Sequence, residues 1–205
     1  MAHIVNERWS TRGFLILVAA CFGATGCTAG ASNTKPPQDP AAARAQIVKK
    51  LKPAEIMQAA DQAASHGEYE RAMTMYNQAI EAEPSADLWF RVGWIYARLA
   101  KKQPAAEAFA HALEYDAKHA GAHEELGLLY LESKQRDRAA IHLQLAVEID
   151  ASRWRSHNAL GVLADASGDY ATAIGHYEAA LAVMPDSAML LNNLGYSNYL
   201  AGDLD

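Results

Sequence analysis

The chain has 205 residues, of which 51% are hydrophobic, with two cysteines and a formal charge of −6. That length suits one ordinary domain or one extended array. The acidic balance and the lack of a Lys/Arg cluster exclude nucleic acid as a partner, and no alternating β-branched runs between turn dipeptides point to a sheet.

The opening segment has the features of an export signal. Arg8 and Arg12 supply positive charge, residues 13–26 are apolar or small throughout, and Cys27 follows. This apolar run is shorter than the ~20 residues a membrane-crossing helix needs, and it suits a signal-peptide core. Ala24-Thr25-Gly26-Cys27 resembles the lipobox of bacterial lipoproteins, in which a cysteine after small residues is lipidated and becomes the new N-terminus. Val18-Ala19-Ala20-Cys21 fits the same pattern but would leave a much shorter apolar core, so Cys27 is the preferred acceptor. The alternative is a non-lipidated secretory signal with an incidental cysteine. The resemblance implies several acyl chains on Cys27, which hold a protein at a membrane far more firmly than one. Thr28 stands where some inner-membrane lipoproteins carry a retention aspartate, which favours the outer membrane over the inner and places the rest of the chain in the periplasm.

Residues 1–26 are thus read as the signal peptide and 27–39 as the lipidated cysteine and a flexible tether rich in Ser, Thr, Gly, Asn and Pro. Asp39-Pro40 reads as a helix N-cap with a first-turn proline, opening a capping helix over residues 40–52 that Pro53 ends or kinks.

Residues 53–205 carry an internal repeat. With Trp154 as position 1, position 8 is Ala60, Gly93, Gly127, Gly161 and Gly195, the four glycines standing 34 residues apart. Position 20 is Ala72, Ala105, Ala139 and Ala173; position 27 is Ala79, Ala112, Ala146 and Ala180. Small side chains let helix axes approach closely, so these positions mark the crossings of a helical hairpin. Position 24 (Tyr76, Phe109, Leu143, Tyr177) is bulky and lies on the same helix face as positions 20 and 27. Between the two helices of a repeat, Gly67 and Gly168 suit left-handed C-caps. The fifth copy runs from Ala188 to Asp205 and holds only a first helix, so the chain is expected to be a fragment or a truncated product, with Leu190, Leu191, Leu194 and Leu204 lacking cover.

These residues resemble the tetratricopeptide repeat, whose pattern runs W-x2-L-G-x2-Y, then Ala, an aromatic and Pro. Trp89, Val92, Gly93, Tyr96, Ala105, Phe109 and Ala112 carry it best. Position 32 is proline at Pro84 and Pro185 but alanine at Ala117 and Ala151. The resemblance implies an all-α, right-handed α-solenoid of stacked helix-turn-helix units, with four full repeats and the first helix of a fifth.

No catalytic motif is present, so neither an enzyme nor a cofactor is expected. His119 and His123 are four apart, and His123-Glu124-Glu125 begins like a zinc-protease helix, but no second histidine follows at Gly127 and no third ligand is evident. His123 and His157 share position 4, and His142 and His176 share position 23; recurrence of this kind points to packing or a repeated surface rather than a metal site.

Binding is the more promising reading. In the resembled family the first helices line the groove. Here that gives Phe90, Trp94, Arg98, Leu128, Arg155, Asn158, Asn192, Tyr196 and Tyr199 as partner-contacting candidates. Asn158 and Asn192, one repeat apart, could form an amide ladder clamping an extended peptide, or could bond neighbouring helices and water. Phe90 and Trp94 are either an aromatic anchor or inter-repeat packing. The lipobox, the short tether and the form Leu191-Asn192-Asn193-Leu194-Gly195-Tyr196 before Gly202-Asp203 resemble the tight-adherence (Flp) pilus assembly lipoproteins and the type IV pilotins. That resemblance implies a lipid-anchored scaffold whose partner is a secretin or a pilus component. Two other readings stay open: the repeat part of a longer protein with a catalytic domain beyond residue 205, and an envelope lipoprotein with no binding groove.

Overall fold

The computed structural model describes residues 52–202. The expected signal peptide, Cys27, the tether, all but the last residue of the expected capping helix, and Leu204 lie outside the described residues.

Among the described residues there are nine α-helices and no strand. They are α1 (Pro53–Ser65), α2 (Tyr69–Ala82), α3 (Ala86–Arg98), α4 (Lys102–Tyr115), α5 (Ala120–Glu132), α6 (Arg136–Ile149), α7 (Trp154–Ser167), α8 (Tyr170–Val183) and α9 (Ala188–Ala201). Each odd-numbered helix from α1 to α7 packs on the next to form a hairpin, and each hairpin packs on its successor through α2–α3, α4–α5, α6–α7 and α8–α9. First helices also touch along the stack, α5 on α7 and α7 on α9. No helix among them is long and apolar enough to cross a membrane.

The periodic small residues make this stacking possible. The eight alanines at positions 20 and 27 are all at 0% exposure. At position 8 the contact is tighter still. A methyl group built on Gly93, Gly127 or Gly161 would lie 2.6 Å from Phe109, Leu143 or Tyr177, the position-24 residue of the same hairpin. Carbon atoms prefer ~3.5–4.0 Å, so in these three hairpins a side chain larger than hydrogen would push the helices apart, whereas the first hairpin accepts Ala60 there. Around these crossings the core divides into clusters, each shared between neighbouring repeats.

Local signals set the helix ends. Pro53 is the first residue of α1, and the Glu55 carboxylate accepts the Lys52 amide at 2.9 Å. Ser85, His119 and Asp169 accept first-turn amides of α3, α5 and α8 with their side chains. At position 15, Gly67, Gly168 and Gly202 turn the chain with φ of 77°, 81° and 83°. The two middle copies place Ala100 (φ 56°) and Lys134 (φ 61°) at this left-handed position instead, where a Cβ meets the backbone and costs energy.

Candidate partner-binding face

The first helices present the face on which the sequence places its binding candidates. Most polar side chains on it are occupied in joining one repeat to the next. Asp61 on α1 accepts hydrogen bonds from Arg91 on α3, at 2.8 Å, and from the Tyr76 hydroxyl. Glu124 on α5 is buried; it accepts from the Ser156 hydroxyl on α7 at 3.0 Å and pairs with Arg155 and, more distantly, Arg153. Asp165 on α7 accepts from Ser197 on α9 at 2.7 Å and from Tyr177 of its own hairpin at 2.9 Å. Burial and, next, the hydrogen bond to the carboxylate push both tyrosine hydroxyls well above their ordinary pKa. They stay protonated, which is the state that donates. Three junctions thus use one device, a first-helix carboxylate bridging two helices.

This bonding decides the fate of several predicted residues. Arg155 is committed to Glu125 at 2.6 Å and to Glu124 at 3.4 Å, so it joins repeats rather than standing free. Asn158 does not stack on Asn192: its side-chain oxygen accepts from Asn193 at 2.9 Å, while Asn192 is exposed. The amide ladder in its expected register is therefore not formed, because the α9 residue that meets Asn158 is at position 6 rather than 5. Phe90 falls on the packing side. Its ring lies 4.8 Å from that of His119 and 5.6 Å from that of Phe109, and it closes over Gly121. Leu128 is half-buried in the cluster between the third and fourth repeats.

The remaining candidates are available. Trp94 is 39% exposed, with the Arg98 guanidinium 5.6 Å from its ring centre. Together with Asp61, Ala64, Ser65, Tyr76, Phe90 and Arg91 it lines a cleft of about 320 Å3. Val162, Tyr196 and Tyr199 are exposed too. Trp94, Leu128, Val162 and Tyr196 all occupy position 9, so the same register of α3, α5, α7 and α9 carries one apolar or aromatic side chain per repeat. Three of the four, Trp94, Val162 and Tyr196, are exposed, and tryptophan and tyrosine are the side chains that dominate protein interfaces. No group of three or more His, Cys, Asp or Glu able to hold a metal occurs among the described residues.

Glu124 and Asp165 fall at groove positions of the repeat, but their bridging role is not among the sequence expectations, although a signal for Asp61 and Asp165 was there. The two copies with tyrosine at position 24 place an aspartate at position 9 (Asp61) or 12 (Asp165) of their first helix. The copies with Phe109 or Leu143 there carry apolar residues at both positions.

Family models of the tetratricopeptide repeat match residues 86–119, 120–153 and 158–205, more than half of the chain. The chain belongs to the tetratricopeptide-repeat family. No curated protein matches this sequence. Among solved structures, the tetratricopeptide-repeat array is similar to a crystal structure of MamA protein, at 20% identity and TM-score 0.63 over 74% of this chain and 83% of that one. It is similar to MamA from Desulfovibrio magneticus RS-1, again at 20% identity and TM-score 0.63, over 74% and 86%. It is also similar to PilF of Pseudomonas aeruginosa, at 20% identity and TM-score 0.65, over 74% and 69%. At this identity the likeness concerns the fold, a stack of helical hairpins; it is the family match that makes the chain a scaffold for protein–protein contacts.

Proposed function

We propose that the chain is a lipid-anchored scaffold, held at the periplasmic face of the outer membrane through Cys27, which presents its first-helix face to a protein partner in pilus or secretin assembly. The observation that carries the binding half is the position-9 row. Trp94, Val162 and Tyr196 stay exposed at this register, where Leu128 alone among the four packs between repeats. Asp61, Arg91, Arg155, Asn158 and Asp165 beside them are engaged across the repeat junctions, so specificity comes from shape and apolar contact more than from free charge. An extended or helical segment rich in apolar residues fits such a row.

The anchoring half rests on Ala24-Thr25-Gly26-Cys27 after an apolar core. A tether of a dozen or so residues lets the array stand off from the lipid surface. Intact-mass analysis and membrane fractionation of the wild type and Cys27→Ser test this. The wild type should gain the mass of a diacylglyceryl group and an N-acyl chain and sediment with outer membranes, whereas Cys27→Ser should lose both the mass and the sedimentation. A wild type with no acyl mass that stays in the soluble fraction removes the anchor.

A further inference from the structure

The histidines that recur at positions 4 and 23 meet in pairs. His123 on α5 and His142 on α6 stand with their Nδ1 atoms 3.0 Å apart; His157 on α7 and His176 on α8 repeat the arrangement at 3.1 Å. The rings are tilted 37° and 44°, with centroids 5.2 and 5.4 Å apart. At these separations one hydrogen fits between the two nitrogens, and two cannot. The hydrogen can be placed. His123 Nε2 lies 3.1 Å from the Ala117 carbonyl oxygen, which only accepts. His123 therefore carries its own hydrogen on Nε2, its Nδ1 is a bare acceptor, and the shared hydrogen belongs to His142 Nδ1. At His157 the Ala151 carbonyl favours a hydrogen on the ring in the same way.

We propose that the His123–His142 and His157–His176 pairs are acid-sensitive clasps, each closing the two helices of one repeat through a single shared hydrogen and opening when both of its rings are protonated.

The surroundings favour the uncharged pairs. His123 is buried and the other three rings are half-buried. Burial, then the facing His123, then Arg138 on its own helix hold His142 below the ordinary histidine range, and the Tyr130 ring of α5 covers it at 5.5 Å. Burial, then the facing His157, does the same for His176. Burial lowers His157 as well, against an opposing pull from the Ala151 carbonyl. A histidine depressed in the fold binds fewer protons there than in the unfolded chain. Its contribution is complete above the ordinary histidine value of about 6.5 and is lost as pH falls through the folded-state values. Each proton that a pair refuses lowers the folded-to-unfolded ratio by up to about tenfold per pH unit in that window, so two pairs give up to about a hundredfold.

The test compares the whole chain with the double variant His142→Asn/His176→Asn. Asparagine places an amide nitrogen near the old Nδ1 and can turn its oxygen to the partner when that ring gains a proton. The histidines outside the pairs are the same in both proteins, so the comparison isolates the pairs. Urea unfolding at pH 7.5, 6.5 and 5.5 should show the wild type losing up to about a hundredfold more of its folded-to-unfolded ratio per unit below pH 6.5 than the variant does. Parallel pH dependences overturn the proposal. Long-range proton–nitrogen NMR decides it on the wild type alone, should the variant not fold. The account requires Nε2–H on His123 and His157 and Nδ1–H on His142 and His176 at pH 7.5; Nε2–H on all four overturns it.

Discussion

Replacing Gly161 by alanine tests the packing that the whole array depends on. The new methyl would sit 2.6 Å from Cε1, 2.7 Å from Cζ and 3.0 Å from Cδ1 of Tyr177, about 1 Å inside the preferred carbon–carbon distance. The ring cannot simply retreat. It is 1% exposed, and its hydroxyl is tied to Asp165 at 2.9 Å. Overpacking of this kind costs about 1–3 kcal/mol, and the better helix propensity of alanine returns about 1 kcal/mol. Gly161→Ala is therefore expected to lose about 1 kcal/mol net. Gly175, in the middle of α8, is the control: nothing lies within 4 Å of a methyl built there. Gly175→Ala keeps only the propensity gain and should be more stable than wild type by about 0.5–1 kcal/mol. Urea unfolding followed by far-UV circular dichroism measures both. Opposite signs separated by about 2 kcal/mol support the reasoning. Equal stabilisation by the two alanines refutes it, because the hairpin would then have room that the close crossing denies.

Tyr177→Phe removes a buried hydroxyl that donates to Asp165 while keeping the ring, and Phe109 shows that the repeat accepts phenylalanine at this position; a loss of about 1 kcal/mol is expected in the same urea assay, since Asp165 keeps Ser197 as a donor. Ala100→Gly relieves a left-handed residue at φ 56° and should stabilise the fold by about 0.5 kcal/mol after the extra chain entropy of glycine, read as a higher urea midpoint. The reverse change at the equivalent Gly168 should lower the midpoint.

Much of the architecture could be read in the chain because its cause is local and repeated. A hairpin that needs a small residue at position 8 and methyl at positions 20 and 27 writes those needs into its copies, as Ala60 in the first and as Gly93, Gly127 and Gly161 in the next three. The candidate face was legible only in part. Which side chain meets which across a junction depends on how one first helix is shifted against the next, and a period of 34 residues carries no record of that shift. Asn158 therefore finds Asn193, not Asn192, and Arg155 turns to Glu124 and Glu125. The histidine recurrence was visible, but contact within each pair needs the rotation of α5 on α6 and of α7 on α8. Tyr76 with Asp61 and Tyr177 with Asp165 could have been paired from the sequence, since a buried hydroxyl calls for an acceptor on the facing helix.

A photo-cross-linking residue placed in turn at Trp94, Val162 and Tyr196, and for comparison at Ile141 and Gly175 on second helices, measures in intact cells which face of the array meets its partner. The three first-helix positions should capture the same protein, with none captured at the two second-helix positions. Capture that is as strong from the second helices, or that occurs only there, contradicts the assignment of the position-9 row as the binding face.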